Sequence, residues 1–132
     1  MNYYFTKTVT GVFEKIEQQL ITLLENEGFG VLTQIDMKAT LKKKLEVDFR
    51  PYKILGTCNP PFAYKALQAE DKIGTMLPCN FILQEHTKNQ IEVSAINPLV
   101  SMASVKNEAL ESVAKTVTEK LKNIINNLSN EK

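Results

Sequence analysis

Residues 109–128 read ALESVAKTVTEKLKNIINNL, and the spacing of their apolar side chains decides the architecture. Leu110, Val113, Ala114, Val117, Leu121, Ile124, Ile125 and Leu128 recur at three-and-four spacing over about five helical turns. Glu111, Lys115, Glu119, Lys120 and Lys122 fall on the other sides. A helix with one apolar stripe has one partner surface, so it is expected to lie across a sheet rather than inside a bundle. On that reading Leu110, Val117, Leu121 and Ile124 are buried while Glu111 and Lys122 stay wet.

Upstream of this helix, Cys79 to His86 and Gln90 to Ile96 alternate in period two around Thr87-Lys88-Asn89, which predicts a hairpin. Asn97-Pro98 closes its second strand. Pro51 precedes a further strand, Tyr52 to Thr57, which stops at Cys58-Asn59-Pro60-Pro61. Asn59 is a natural helix cap, and Pro60 suits the first helical position, where a missing N–H does no harm. Phe62, Ala63, Ala66 and Leu67 give that helix a buried side, and Gly74 and Pro78 punctuate the loop beyond it.

Nearer the N-terminus, Asp36 opens a short basic segment, Met37 to Leu45, where Leu41 and Leu45 are four apart and suit a short amphipathic helix with Lys38, Lys42, Lys43 and Lys44 outward. A strand covers Phe29 to Ile35. Before it, Val12, Phe13, Ile16, Leu20, Leu23 and Leu24 mark a helix that Thr10 can cap and Gly28 can end in the left-handed conformation. Tyr3 to Val9 reads as the first strand.

This order predicts an α+β two-layer sandwich: a mainly antiparallel sheet of about five strands, covered by helices on one face. Phe5, Ile54 or Leu55, Phe81 or Ile82, and Val93 supply apolar groups to both sides of the strands. An uncovered apolar face implies a partner, so a homodimer is expected.

The 132 residues form one domain, 1–132, with no linker or repeat. Sixteen Lys and Arg against 15 Asp and Glu leave a net charge of +1, which argues against a dedicated nucleic-acid binder. No signal peptide and no membrane-length apolar run is visible, so a cytoplasmic protein without membrane attachment is expected. Two cysteines are too few for a disulfide framework.

Motifs for catalysis are sparse. Gly28-Phe29-Gly30 lacks the continuation of a dinucleotide fingerprint. His86, the only histidine, has no nucleophile motif beside it. Cys58, Cys79 and His86 lack zinc spacing, so no metal is expected, and no motif names a cofactor. The lysines of 38–44 could bind phosphate, but Asp36, Glu46 and Asp48 close by favour a solvated helix face.

Cys58 carries the chemical potential. It stands one residue before a helix cap, where unpaired backbone N–H groups and the helix field favour thiolate and could hold an anionic ligand group. The plainer reading makes it a small buried hydrophobe. Cys79 lacks a helix and reads as packing. Whether the two sulfurs approach each other stays open at this point.

The stretch Tyr52 to Pro60, with Ala63, Ala66-Leu67 and Gly74-Thr75-Met76-Leu77-Pro78-Cys79-Asn80, resembles the bacterial and archaeal family called "domain of unknown function 302". The resemblance covers nearly the whole chain and includes Asn97-Pro98 and the last helix. It implies a fold similar to the TATA-binding-protein class and a tendency to form homodimers, and it raises Cys58, Asn59, Pro60, Pro78 and Cys79 as a candidate ligand or thiol site, which Gly56 joins by allowing close approach from the strand side. The resulting expectation is a dimeric module binding a small molecule or partner around Cys58-Asn59-Pro60. The alternative is a thiol-dependent enzyme or redox sensor using Cys58.

Overall fold

Alternation places Phe5 and Val9 of β1 (Tyr4–Thr10) against the core, and the computed structural model, which describes residues 2–131, sets this strand at one edge of a five-stranded sheet. α1 (Phe13–Asn26), β2 (Gly30–Asp36), α2 (Met37–Leu45) and β3 (Tyr52–Cys58) follow. Then come α3 (Pro60–Ala69), a 3-10 turn (Asp71–Met76), β4 (Cys79–Thr87), β5 (Gln90–Ile96), α4 (Pro98–Ser101) and α5 (Glu108–Asn126). The strand order is β1-β5-β4-β3-β2, with every neighbouring pair antiparallel. β1 and β2 therefore occupy opposite edges, about 19 Å apart at ordinary strand spacing. The 14 residues of α1 span about 21 Å, enough to cross the sheet between them.

Ile16, Leu20 and Leu24 of α1 and Leu121, Ile124 and Ile125 of α5 meet Leu55, Phe81, Leu83, Ile91 and Val93 of the strands in one core. The sandwich reading holds, and the α5 stripe faces as expected: Leu110, Val117, Leu121 and Ile124 are buried, Glu111 and Lys122 exposed. Among the described residues, no helix is long and apolar enough to cross a membrane.

Several local expectations are corrected. Thr10 does not cap α1, because it is the last residue of β1; its hydroxyl accepts from Gln90 Nε2 at 3.2 Å. The cap position is Val12, whose N–H donates to the Glu131 carboxylate at 2.9 Å, so the C-terminal tail satisfies this helix start. Asp36 caps α2, accepting from Ala39 N–H at 2.9 Å. Leu45 and Leu67 are exposed rather than packed, because α2 stands clear of the core and α3 buries only the side bearing Ala66. The hairpin turn narrows to Lys88-Asn89, with Asn89 at φ 64°, since Thr87 still pairs with Gln90. Asn97 also does more than end β5: it caps the short α4 by accepting from Leu99 N–H.

The face turned away from α1 and α5 differs from the apolar surface foreseen. Leu55 and Phe81, with Phe5 and Val93, all turn toward the helices. The outward rows run Thr6–Ser94–Ile82–Ile54 and Thr8–Glu92–Gln84–Tyr52, with Tyr4 beside Ile96. Period-two alternation thus mixes hydroxyls, an amide and a carboxylate with the apolar groups.

Candidate functional site

Cys58 ends β3, and Cys79 opens β4 on the neighbouring strand, where Thr57 and Cys79 are register partners. Both cysteines therefore lie at the same end of the sheet, and the crossover through α3 does not separate them. The Thr57 hydroxyl donates to the Cys79 carbonyl at 2.8 Å and locks this end. Neither cysteine is in a disulfide.

α3 and the first half of α5 close over that end and leave an apolar cleft of about 70 Å³. Cys58, Asn59, Pro78 and Cys79 line it together with Phe62, Ala66, Leu77, Met102 and Val113, and Leu32 of β2 stands at its edge. Four of the six candidate residues thus come together. Pro60 does not join them; it is exposed and starts α3. Gly56 lies outside the lining and serves it indirectly: a Cβ there would collide with Thr33 Oγ1 and stand 2.7 Å from Pro78 Cγ. The missing side chain lets Pro78 lie flat on β3, after a cis Leu77–Pro78 peptide.

Asn59 takes the extended backbone of a cap, φ −105° and ψ 101°, but its side chain does not bond its own helix. Its Nδ2 donates to the Glu27 carbonyl at 3.1 Å, just before Gly28 turns at φ 86°. Asn59 therefore ties the end of α1 to the start of α3. The anion-binding expectation loses most of its donors here, because Pro60 and Pro61 have no N–H and Ala63 N–H already donates to the Asn59 carbonyl. Burial pushes the Cys79 thiol from 9.0 up to about 11, and the neighbouring Cys58 adds to the rise. Cys79 is accordingly protonated at neutral pH and a poor nucleophile.

His86 lies at the far end of β4, about 24 Å along the strand from Cys79, with Nε2 3.1 Å from Glu92 Oε1. α2 projects its lysines into solvent. Lys38 Nζ donates to the Phe49 carbonyl at 2.7 Å and Lys42 pairs with Asp48 at 3.2 Å, so two of the four hold the following segment. The residues that sequence reasoning missed are the cleft walls from α4 and α5, which only the topology brings to β3.

A family model described as "Domain of unknown function DUF302" matches residues 5–128. The chain belongs to the DUF302 family. A solved structure described as an uncharacterized conserved protein DUF302 from Bacillus stearothermophilus superposes with a TM-score of 0.89. It is 25% identical, with 97% of this chain and 99% of that chain covered. No curated protein matches the sequence. In this DUF302 chain the Gly56–Pro60 and Pro78–Cys79 elements both fall within the matched residues.

Proposed function

We propose that the chain is a binding module that takes an apolar portion of a small molecule or partner into the cleft walled by Cys58, Asn59, Pro78 and Cys79, and that it works as a cytoplasmic homodimer. The observation carrying this reading is the cleft itself: a concave, almost wholly apolar site at the junction of sheet, α3 and α5. With few N–H donors at the α3 start, it favours a short alkyl group over an anion. Dimerisation is supported by β2, an edge strand whose outer backbone groups pair with nothing in the sheet. Its Leu32 is 65% exposed and also lines the cleft, so a second copy added along β2 would cover the cleft mouth.

Xenon is a suitable probe, because dry apolar cavities of this order take it up. Under xenon pressure the amide signals of Ala66, Leu77, Cys79 and Val113 should shift in step, and Ala66→Phe, which fills the space, should abolish the response. Light scattering should return twice 14.9 kDa, and Leu32→Lys should return 14.9 kDa. A monomer throughout, or xenon shifts elsewhere, overturns the respective half of the proposal.

The second reading is thiol chemistry at Cys58, favoured by the placement of two free cysteines on adjacent strands. It predicts that Cys58 is alkylated by iodoacetamide faster than Cys79 in the folded protein, and equal or absent labelling removes it.

A further inference from the structure

On the side of the sheet opposite the core helices, the outward rows of β1, β5, β4 and β3 form a groove of about 440 Å³, a volume typical of small-molecule sites. Arg50 stands at one corner. Its guanidinium carbon lies 4.4 Å from the centre of the Phe49 ring and 5.7 Å from that of Tyr52, and its Nε donates to Gln84 Oε1 at 2.9 Å. Gln84 is only 9% exposed, and its Nε2 lies 3.4 Å from Glu92 Oε1. Glu92 is already engaged. The Thr6 hydroxyl donates to its Oε2 at 2.8 Å, and His86 Nε2 lies 3.1 Å from its Oε1.

Arg50 is therefore held in place by two rings and one hydrogen bond. Among the described residues its two terminal Nη nitrogens donate to nothing. At the far corner Tyr3 and Tyr4 stack edge to face, with centres 4.9 Å apart. Ile82 and Ile96 line the groove between, over a width of three strand spacings, about 14 Å.

We infer that this groove binds a small organic monocarboxylate with an elongated apolar body. The planar guanidinium presents a pair of parallel N–H donors that matches a carboxylate, and a pre-positioned side chain loses little freedom on binding. The apolar body lies across Ile82 and Ile96 and ends on Tyr4. Glu92, inboard of Arg50, repels a second acidic group and so selects against dicarboxylates. A nucleic-acid backbone gains little here, because one cation shares the groove with one carboxylate.

The test uses 4-phenylbutyrate and its neutral amide as paired probes, followed by amide chemical shifts and tyrosine fluorescence. The chain has no tryptophan, and three of its four tyrosines line this groove, so the fluorescence reports on it directly. The acid should shift Arg50, Tyr52, Ile82, Ser94 and Ile96 and should bind at least about tenfold more tightly than the amide, as a charge-assisted pair does. Arg50→Gln should remove that advantage while amide shifts remote from the groove stay native, and Arg50→Lys, which keeps the charge but loses the fork, should retain part of it. Cys58→Ser should leave acid binding unchanged, which separates this site from the cleft. Equal affinity for acid and amide, full binding by Arg50→Gln, or shifts confined to Cys58–Asn59 would overturn the inference. So would concentration-dependent shifts of the same residues without probe, which would make this face a contact between copies of the chain.

Discussion

Lys53 extends from the core side of β3 and places its ammonium 3.0 and 3.1 Å from the two carboxylate oxygens of Glu17, which α1 holds at 8% exposure. The pair spans the helix–sheet interface beside the apolar core. Partly buried ions depend on each other, because removing one leaves the other desolvated and unmatched. Lys53→Met should therefore destabilise by about 1–3 kcal/mol, a range lowered from that of fully buried pairs by the residual exposure of Lys53. Adding Glu17→Leu should restore most of the loss. Urea unfolding of the two single variants and the double variant checks this, and additive losses would show that the pair is not coupled.

Cys79 should titrate far above an ordinary thiol. Thiolate absorbance of Cys58→Ser, which leaves one cysteine, should show a midpoint above 9.0 but below the value near 11 of the intact chain, because Cys58 contributes to the rise. The raised value has a stability consequence of fixed sign. The contribution is fully present below pH 9 and is lost as pH rises toward 11, by roughly 2–3 kcal/mol. Cys79→Ala should flatten the stability profile across that window.

Glu131 behaves in the opposite sense. The Val12 N–H and the nearby Lys15 hold its carboxyl below the usual carboxylate range. Its contribution is present above the ordinary carboxylate value and disappears as pH falls through the lowered one. The difference in thermal midpoint between the native chain and Glu131→Gln should thus be largest near neutrality and close in acid. A gap independent of pH would show that only the hydrogen-bond geometry matters.

Gly56→Ala should destabilise by about 1–3 kcal/mol, as overpacking does, because the new methyl would meet Thr33 and Pro78 at once. It should also alter labelling of Cys79, whose strand begins next to the displaced proline. Unchanged stability would mean that Pro78 moves aside freely.

The parts of the fold legible from sequence are those set by short-range pattern. The α5 stripe, the Gly28 turn and the β4–β5 hairpin each depend on residues within a few positions of one another. The α1 cap was not legible, since its acceptor lies at Glu131, 119 positions from Val12. Nor was the exposure of Leu45 and Leu67, which are apolar and correctly spaced but fall outside the buried side of α2 and α3. Four residues of the cleft could be named in advance, Cys58 and Asn59 from the strand-to-helix turn and Pro78 and Cys79 through the family resemblance. The walls from Pro98, Met102, Leu110 and Val113 are placed there only by the path of α4 and α5.

Strand order has a consequence for how the chain assembles. β4 and β5 can pair after closing a tight turn, and β2 and β3 after closing a connection that holds α2, whereas β1 must find β5 across sequence separations of 80 to 92, from Thr10 with Gln90 to Tyr4 with Ile96. Closing so large a loop carries an entropic penalty that only late, cooperative docking of α1 and α5 offsets. The first strand made is thus the last to join. Native-state hydrogen exchange should find the Tyr4–Thr10 amides opening at lower free energy than those of β4, with the N-terminal edge as the hinge of partial unfolding.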